Sequence, residues 1–266
     1  MRDRSIPGGD EAPLASENIE SEVFYMEGHQ NVRLYGYESL FSEAERDAYS
    51  TIDQHVRELY LPAFQEDESV DVSRLSVITD IYTMDHPEVF WIDEELNIEY
   101  GGKSGCFRLR YNCEGEELSA RQEEMEKVVS GFLHGVRSSA TDFEKEVRIN
   151  DFLIDICDYD FLAGSDELYC ARNEIHSYGA FADHLVNCEG YAKAAKVLLD
   201  RMDINNVLVV GREISGQKAP HIWNAVEIEG DWYYLDVTNN YVESDNPYLR
   251  NYLYFLRRTD VYYIAG

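Results

Sequence analysis

Apolar positions recur along the chain at two periods, and the change from one to the other divides it. Three segments with helical spacing each begin with Ser or Thr followed three residues later by Glu or Gln: Ser42 and Glu45, Ser119 and Gln122, Thr141 and Glu144. In that arrangement the first side chain bonds the backbone of the second and the second bonds back, a capping box. The first segment predicts a helix of roughly twenty residues that ends where Leu61–Pro62 removes a backbone donor. The second runs to about Gly135. The third carries Phe143, Val147, Phe152 and Ile156, with Ile149 and Leu153 beside them, as one broad apolar face. Between the first two, V-S-R-L-S-V-I-T-D-I-Y-T-M-D-H-P-E-V-F-W-I reads as a helix broken at His86–Pro87 and followed by a short strand. Ile98 to Tyr100 and Phe107 to Asn112 read as further strands, separated by Gly101–Gly102.

After Asp158 the pattern is that of loops as far as Val186. Helical spacing then returns in N-C-E-G-Y-A-K-A-A-K-V-L-L-D-R-M (Asn187 to Met202), with Ala192, Ala195, Leu199 and Met202 on one face. A strand follows from Val207 to Val210, then H-I-W-N-A-V-E-I-E-G-D-W-Y-Y-L-D-V-T and an aromatic stretch, Y-L-Y-F-L-R-R-T-D-V-Y-Y-I. Helices first, then one helix against an antiparallel sheet, is an α+β layout. The expected organisation is a disordered tail or linker over 1–30, an N-terminal α/β subdomain over 31–137, and a core over 138–266. No internal repeat is present.

Composition narrows the function. Of 266 residues 44% are hydrophobic and 13% aromatic, enough to bury a real core, and the formal net charge is −29. Such a surface repels nucleic acid and anionic lipid. No run of apolar residues is long enough to span a membrane. The first residues, M-R-D-R-S-I-P-G-G-D, carry no apolar stretch of the kind a signal peptide needs. Five cysteines, Cys106, Cys113, Cys157, Cys170 and Cys188, include no C-x-x-C pair, and the odd number leaves at least one thiol unpaired. Cys106 and Cys113 flank F-R-L-R-Y-N and could be bridged only if a hairpin brought them together.

Cys188 stands apart because of where the pattern puts it. Asn187 is a favoured N-cap residue, which places Cys188 at the first helical position. There the unpaired backbone N–H groups and the positive end of the helix dipole stabilise a thiolate over a thiol. A structural cysteine gains nothing from that position, whereas a nucleophile does.

The second informative stretch is His221 to Thr238. Two runs of strand-forming residues meet at Glu229–Gly230, a turn pair with glycine where positive φ is needed. That turn makes Ile228 face Asp231 and His221 face Thr238, and leaves Asp236 as the diagonal neighbour of His221 on one face. Such diagonals lie about 7–8 Å apart, within reach of an imidazole and a carboxylate turned toward each other. A turn at Gly230–Asp231 would keep the shared face and separate the pair by one more diagonal. The opposite face collects Ile222, Val226, Ile228, Leu235 and Val237. A thiolate nucleophile needs a base, and the base needs a partner that fixes its tautomer and stabilises its charge. Cys188, His221 and Asp236 fill those roles if the cysteine helix lies against the hairpin. The Cys188 backbone N–H is a natural donor to an oxyanion. Candidates for a second donor are Tyr178 and Asn187, and Trp223 and Trp232 are candidate walls of a substrate groove. Asn224 reads as a buried structural amide, and Glu189 and Tyr191 as residues that hold the helix.

Together C-E-G-Y-A-K-A (Cys188 to Ala194), H-I-W-N-A-V (His221 to Val226) and G-D-W-Y-Y-L-D-V-T (Gly230 to Thr238) resemble the transglutaminase-like superfamily, and within it the bacterial branch. E-K-E-V-R-I-N-D-F-L (Glu144 to Leu153), S-Y-G-A-F (Ser177 to Phe181) and D-H-P-E-V-F-W (Asp85 to Trp91) are similar to the same branch. The resemblance covers most of the chain after about residue 40. It implies a papain-like α+β fold with a Cys-His-Asp triad, to which Cys188, His221 and Asp236 correspond, and activities that range over protein cross-linking, deamidation and peptide or amide hydrolysis. One departure is local: where the family often has a tryptophan after D-V-T, this chain has Asn239 and Asn240. The resemblance further implies a protein or peptide substrate, including cell-wall peptide, and a secreted or cell-surface location.

The sequence has no H-E-x-x-H, no C-x-x-C and no D-x-D-x-D-G loop, so no metal or other cofactor is expected, although some relatives use calcium. The expectation is a cysteine-dependent hydrolase or acyltransferase working through a thioester. Hydrolysis is favoured because acyl transfer to an amine needs a second pocket that no motif supplies. The alternative is a catalytically inactive module that binds peptide or cell-wall polymer.

Overall fold

The computed structural model describes residues 32–58, 64–65, 70, 72–93, 98–101, 106–160, 173–212, 220–241 and 255–258. The expected tail over 1–30, the Leu61–Pro62 stop, Cys170 and most of the C-terminal aromatic stretch lie outside them. In chain order the elements are α1 (Tyr35–Glu38), α2 (Glu43–Glu58), β1 (Phe64–Gln65), α3 (Val72–Asp85), β2 (Ile98–Gly101), β3 (Cys106–Leu109), α4 (Gly115–His134), α5 (Asp142–Ile156), β4 (Asp158–Tyr159), β5 (Leu185–Val186), α6 (Cys188–Asp200), β6 (Asn206–Arg212), β7 (Pro220–Ile228), β8 (Asp231–Leu235), α7 (Val237–Asn240) and β9 (Phe255–Arg258). The class is α+β: α6 packs against an antiparallel four-stranded sheet in the order β6-β7-β8-β9.

Two of the three expected capping boxes form. Ser42 and Glu45 exchange side chain-to-backbone bonds of 3.2 and 3.1 Å, and Thr141 and Glu144 do the same at 3.2 and 2.9 Å. The third does not. Helix α4 starts at Gly115, which places Ser119 inside the helix, where its hydroxyl donates to the Gly115 carbonyl at 3.2 Å. A polar N-cap pattern has no force once the preceding turn is already helical, and Gly115, with φ of +59°, allows the earlier start. Helix α3 ends at Asp85, ahead of the His86–Pro87 break. Phe143, assigned to the apolar face of α5, is 45% exposed, while Ile149 and Leu153 of that face are fully buried. Cys113 is a free, buried thiol, so no bridge joins it to Cys106.

One buried apolar cluster runs from Leu40 through Ile78, Trp91 and Met125 to Leu199, Val226 and Val237. It therefore spans both sides of the expected boundary at 137. Helix α6 lies at its centre, with every residue from Gly190 to Asp200 buried. Burying a side chain such as Leu198 or Leu199 contributes roughly 1.5–3 kcal/mol. The polar positions of α6 are buried as well, and each is compensated. Lys193 pairs with Glu189 at 2.8 Å, Lys196 with Asp200 at 3.0 Å, and Asp200 accepts from Asn206 at 2.7 Å. The helical spacing marks one apolar face, but the chain closes around the others because i, i+4 pairing neutralises the lysines within the helix itself.

The sheet joins this helix on one side. Asn224 on β7 donates to the Ala192 carbonyl of α6 at 3.0 Å, the structural role its position suggests. On the far side Trp223, Ala225 and Tyr234 form a second, smaller apolar cluster with Val207, Val209 and Trp232 around them.

Candidate active site

Three elements converge at the start of α6. The first is α6 itself. Asn187 adopts an extended conformation, and its side-chain oxygen accepts from the N–H groups of Glu189 and Gly190 at 2.9 and 3.0 Å. Its carbonyl takes the N–H of Tyr191 at 3.1 Å. Asn187 thus consumes three of the first four N–H groups of the helix end and leaves that of Cys188. The Cys188 backbone lies close enough to the Tyr159 hydroxyl to oppose, in small part, the upward push of burial on its pKa. The carboxylate of Glu189, the next residue, pairs with the buried Lys193 ammonium at 2.8 Å.

The second element is the β7–β8 hairpin. Its turn is Glu229–Gly230, both with positive φ (54° and 86°), and Ile228 pairs with Asp231 as the sequence predicts. The strand partnership ends earlier than expected. Leu235, opposite Asn224, is the last paired residue of β8, and the chain turns into α7 immediately after Asp236. His221 consequently has no strand partner at Thr238 and pairs with Gly211 of β6 on its other edge.

Asp236 caps α7, and that bend brings its carboxylate to the histidine. His221 Nε2 lies 2.9 Å from Asp236 Oδ2, with the imidazole 12% and the carboxylate 1% exposed. Asn239 holds the carboxylate from the other side: its backbone N–H reaches Oδ1 at 3.0 Å and its amide donates to Oδ2 at 2.7 Å. The amide nitrogen is also 3.3 Å from His221 Nε2. Asn240 fastens this turn to α5 through a 3.0 Å bond to Asn150.

Cys188 adjoins the same imidazole and, with Asp236, acts on its titration. Burial pulls the imidazole toward its neutral form, but the bond to Asp236 and the negative charges of Asp236 and Cys188 outweigh it and raise its pKa to about 10. The ring of Trp223 is stacked on the imidazole at 5.5 Å between centroids. Trp223 is 2% exposed. It lies over Gly211, where an added Cβ would come within 2.6 Å of the indole. It is therefore the floor beneath the imidazole, buried between β6 and β8.

The third element is β4. This two-residue strand pairs in parallel with β5, Asp158 with Leu185 and Tyr159 with Val186. Tyr159 is thereby set two residues ahead of Cys188 on the neighbouring strand. The sequence reading passed over it, because D-Y-D at a helix exit carries no periodic or motif signal. Tyr178, the tyrosine singled out instead, donates its hydroxyl to Glu124 at 2.7 Å and stacks on Phe90. Asn187 serves the helix cap. Among the described residues no group of three or more His, Cys, Asp or Glu side chains is placed to hold a metal ion, and no helix is long and apolar enough to cross a membrane.

No protein-family model matches the sequence, and no curated protein does. Among solved structures, the chain is similar to a TGase at 14% identity and a TM-score of 0.41, over 56% of this chain and 45% of that one. It is also similar to a protein from Cytophaga hutchinsonii provisionally assigned as a cysteine protease, at 14% identity and a TM-score of 0.35, over 55% of this chain and 48% of that one. Both likenesses span less than half of the other protein, and neither is close enough to transfer an activity.

Proposed function

We propose that the chain is a cysteine-dependent acyl-transfer enzyme of the transglutaminase-like kind, acting on amide or peptide bonds through a thioester and releasing the acyl group to water. The observation that carries this reading is the His221 imidazole bonded to Asp236 at 2.9 Å, with Cys188 beside it at the start of α6. A thiolate at a helix start, an imidazolium beside it and a carboxylate that orients the imidazolium are the parts nucleophilic acyl chemistry requires.

In the proposed reaction the Cys188 thiolate attacks the carbonyl carbon, and the carbonyl π pair moves onto oxygen. The tetrahedral adduct collapses with cleavage of the C–N bond, and His221 gives its proton to the departing amine. Water deprotonated by His221 then attacks the thioester, the C–S bond breaks, and the cysteine returns as thiolate with the carboxylic acid released. Asp236 orients the imidazole and stabilises its charged form in both halves. The three sequence motifs support the family assignment. Hydrolysis is preferred to cross-linking because no sequence motif supplies the second, amine-holding pocket that transfer to an amine needs.

The test is a glutamine-containing peptide incubated with and without a dansylated alkylamine. Ammonia release that is independent of the amine, and absent in Cys188→Ala, is the expected result. Dansylated amine incorporated in amounts that account for most of the ammonia released would reassign the enzyme to cross-linking. Iodoacetamide labelling of Cys188 no faster than that of a small free thiol would remove the catalytic reading altogether.

A further inference from the structure

The proposed chemistry asks His221 to hold a proton while the thiolate waits and again when water attacks, and to keep its ring turned to its partners throughout. Asp236 and Asn239 govern only the edge of that ring, where they lie 2.9 and 3.3 Å from Nε2. A bond in the ring plane leaves the ring free to swing about that bond and does nothing for its faces. Among the described residues the charged groups that act on the imidazole are Asp236, just past β8, and Cys188 of α6. Strand β6 sets a glycine, Gly211, opposite it.

Trp223 meets one of those faces. It stands two residues beyond His221 on β7, so both side chains leave the strand on the same side, and the two rings stack at 5.5 Å with 25° between their planes. The indole has nowhere to withdraw. Tyr234 of β8 meets it edge-on, 5.8 Å away at 83°, and on the β6 side it fills the space above Gly211, where an added Cβ would come within 2.6 Å of it. An indole face carries the negative end of the ring quadrupole. It attracts a cation within about 6 Å of its centre, most strongly where water is excluded, and Trp223 is 2% exposed. A neutral imidazole in the same place gains only dispersion.

We propose that Trp223 is a positioning residue of the acyl-transfer centre: its indole holds the His221 ring face-on and favours the imidazolium, while Asp236 holds the ring edge. This rests on the acyl-transfer reading above. Buried as it is, Trp223 does not reach a substrate and acts through the imidazole alone. Two things follow from its place. The ring cannot swing about its bond to Asp236 without leaving the indole face, and loss of the proton forfeits the attraction to that face as well as the pairing with the carboxylate. The indole therefore opposes the pull of burial toward the neutral form, in the same direction as Asp236 and by a separate route.

Two readouts on the full chain test this, with thermal melts to verify folding. The first is iodoacetamide labelling of Cys188 at pH 6 and pH 10 in wild type, Trp223→Leu and Trp223→Phe. Without the aromatic face the thiolate–imidazolium pair gives way to thiol and neutral imidazole. Trp223→Leu should therefore label about fivefold more slowly than wild type at pH 6, yet within about twofold of it at pH 10, where a thiol ionises unaided. Trp223→Phe keeps an aromatic face and should recover most of the loss at pH 6. The second readout is indole emission at pH 7. A charged imidazole quenches the indole it touches, so His221→Gln should emit more brightly than wild type, and the same replacement made in Trp223→Phe should change nothing. A rate for Trp223→Leu within about twofold of wild type at pH 6 would overturn the proposal. So would an equal loss at both pH values or no recovery in Trp223→Phe, since either would reduce the indole to packing. If Trp223→Leu does not fold, the emission pair decides, and equal emission from wild type and His221→Gln would overturn the proposal. If wild-type Cys188 labels at pH 6 no faster than a small free thiol, the acyl-transfer reading itself fails, an outcome recognisable before Trp223 is altered.

Discussion

Asn239 donates its side-chain amide to Asp236 Oδ2 at 2.7 Å, the oxygen that His221 Nε2 reaches at 2.9 Å. This chain thereby places a second clamp on the carboxylate. The amide satisfies a lone pair that water would otherwise take and fixes the carboxylate plane relative to the imidazole.

Removing that clamp should loosen the pair without destroying it, because the Asn239 backbone N–H still holds Oδ1. A hydrogen bond to a charged carboxylate contributes about 1.5–3 kcal/mol. Asn239→Ala is therefore expected to acylate at Cys188 roughly tenfold more slowly and to melt a few degrees lower. A pH–rate profile of p-nitrophenyl acetate cleavage checks it: no change in rate or profile would mean that Asn239 is only a helix residue.

The raised His221 pKa has a direct consequence for the thiol. Its folded value of about 10 exceeds the ordinary 6.5, so the imidazolium and the stability it brings are complete below pH 6.5 and are lost as pH rises through 10. Iodoacetamide labelling of Cys188 at pH 6 should thus outrun a small free thiol at least tenfold in wild type and match it in His221→Ala. Asp236→Asn removes the negative partner and should lower the His221 titration followed by NMR.

Glu146 is a buried carboxyl on α5 with no hydrogen-bond partner among the described residues for either oxygen. Burial raises its pKa from 4.5 to about 8. The unfolded chain ionises at 4.5 while the folded one holds the proton. Stability is therefore full below 4.5, declines as pH rises, and levels off above 8. Glu146→Gln keeps the shape and removes the titration. It should stabilise by on the order of 2–3 kcal/mol at pH 8 and far less at pH 4.5, as read from urea midpoints at the two pH values.

His176 acts at the other end of the scale. Burial first, and then the neighbouring Lys193 charge, lower its pKa to about 3. Its neutral form contributes stability that is complete above pH 6.5 and is lost as pH falls toward 3. Replacing it with glutamine should flatten the acid side of the stability curve relative to wild type. An unchanged slope between pH 7 and pH 4 would contradict this.

Gly211 tests the floor of the site. A methyl group there would meet the Trp223 indole at 2.6 Å, and the indole supports the His221 ring. Gly211→Ala should cost about 1–3 kcal/mol of stability, as overpacking does, and should slow acylation more than a surface substitution of equal cost. Thermal melts and the p-nitrophenyl acetate rate together decide it.

What the sequence determined by itself is local. Asn187 before an apolar helical run fixes Cys188 at a helix start, because cap and period are both written in neighbouring residues. Glu229–Gly230 fixes the hairpin turn, and with it the face on which His221 lies, because strand side chains alternate strictly. What only the tertiary structure decided depends on where one element stops against another. The strand ends at Leu235 rather than running on to Thr238, since Asp236 gains more as the cap of α7 than as a strand residue, and that bend is what brings its carboxylate to the imidazole. Gly115 lets α4 begin before its apparent cap. Tyr159 becomes a neighbour of Cys188 through a two-residue parallel pairing across 27 positions of sequence, a contact that no spacing or composition records.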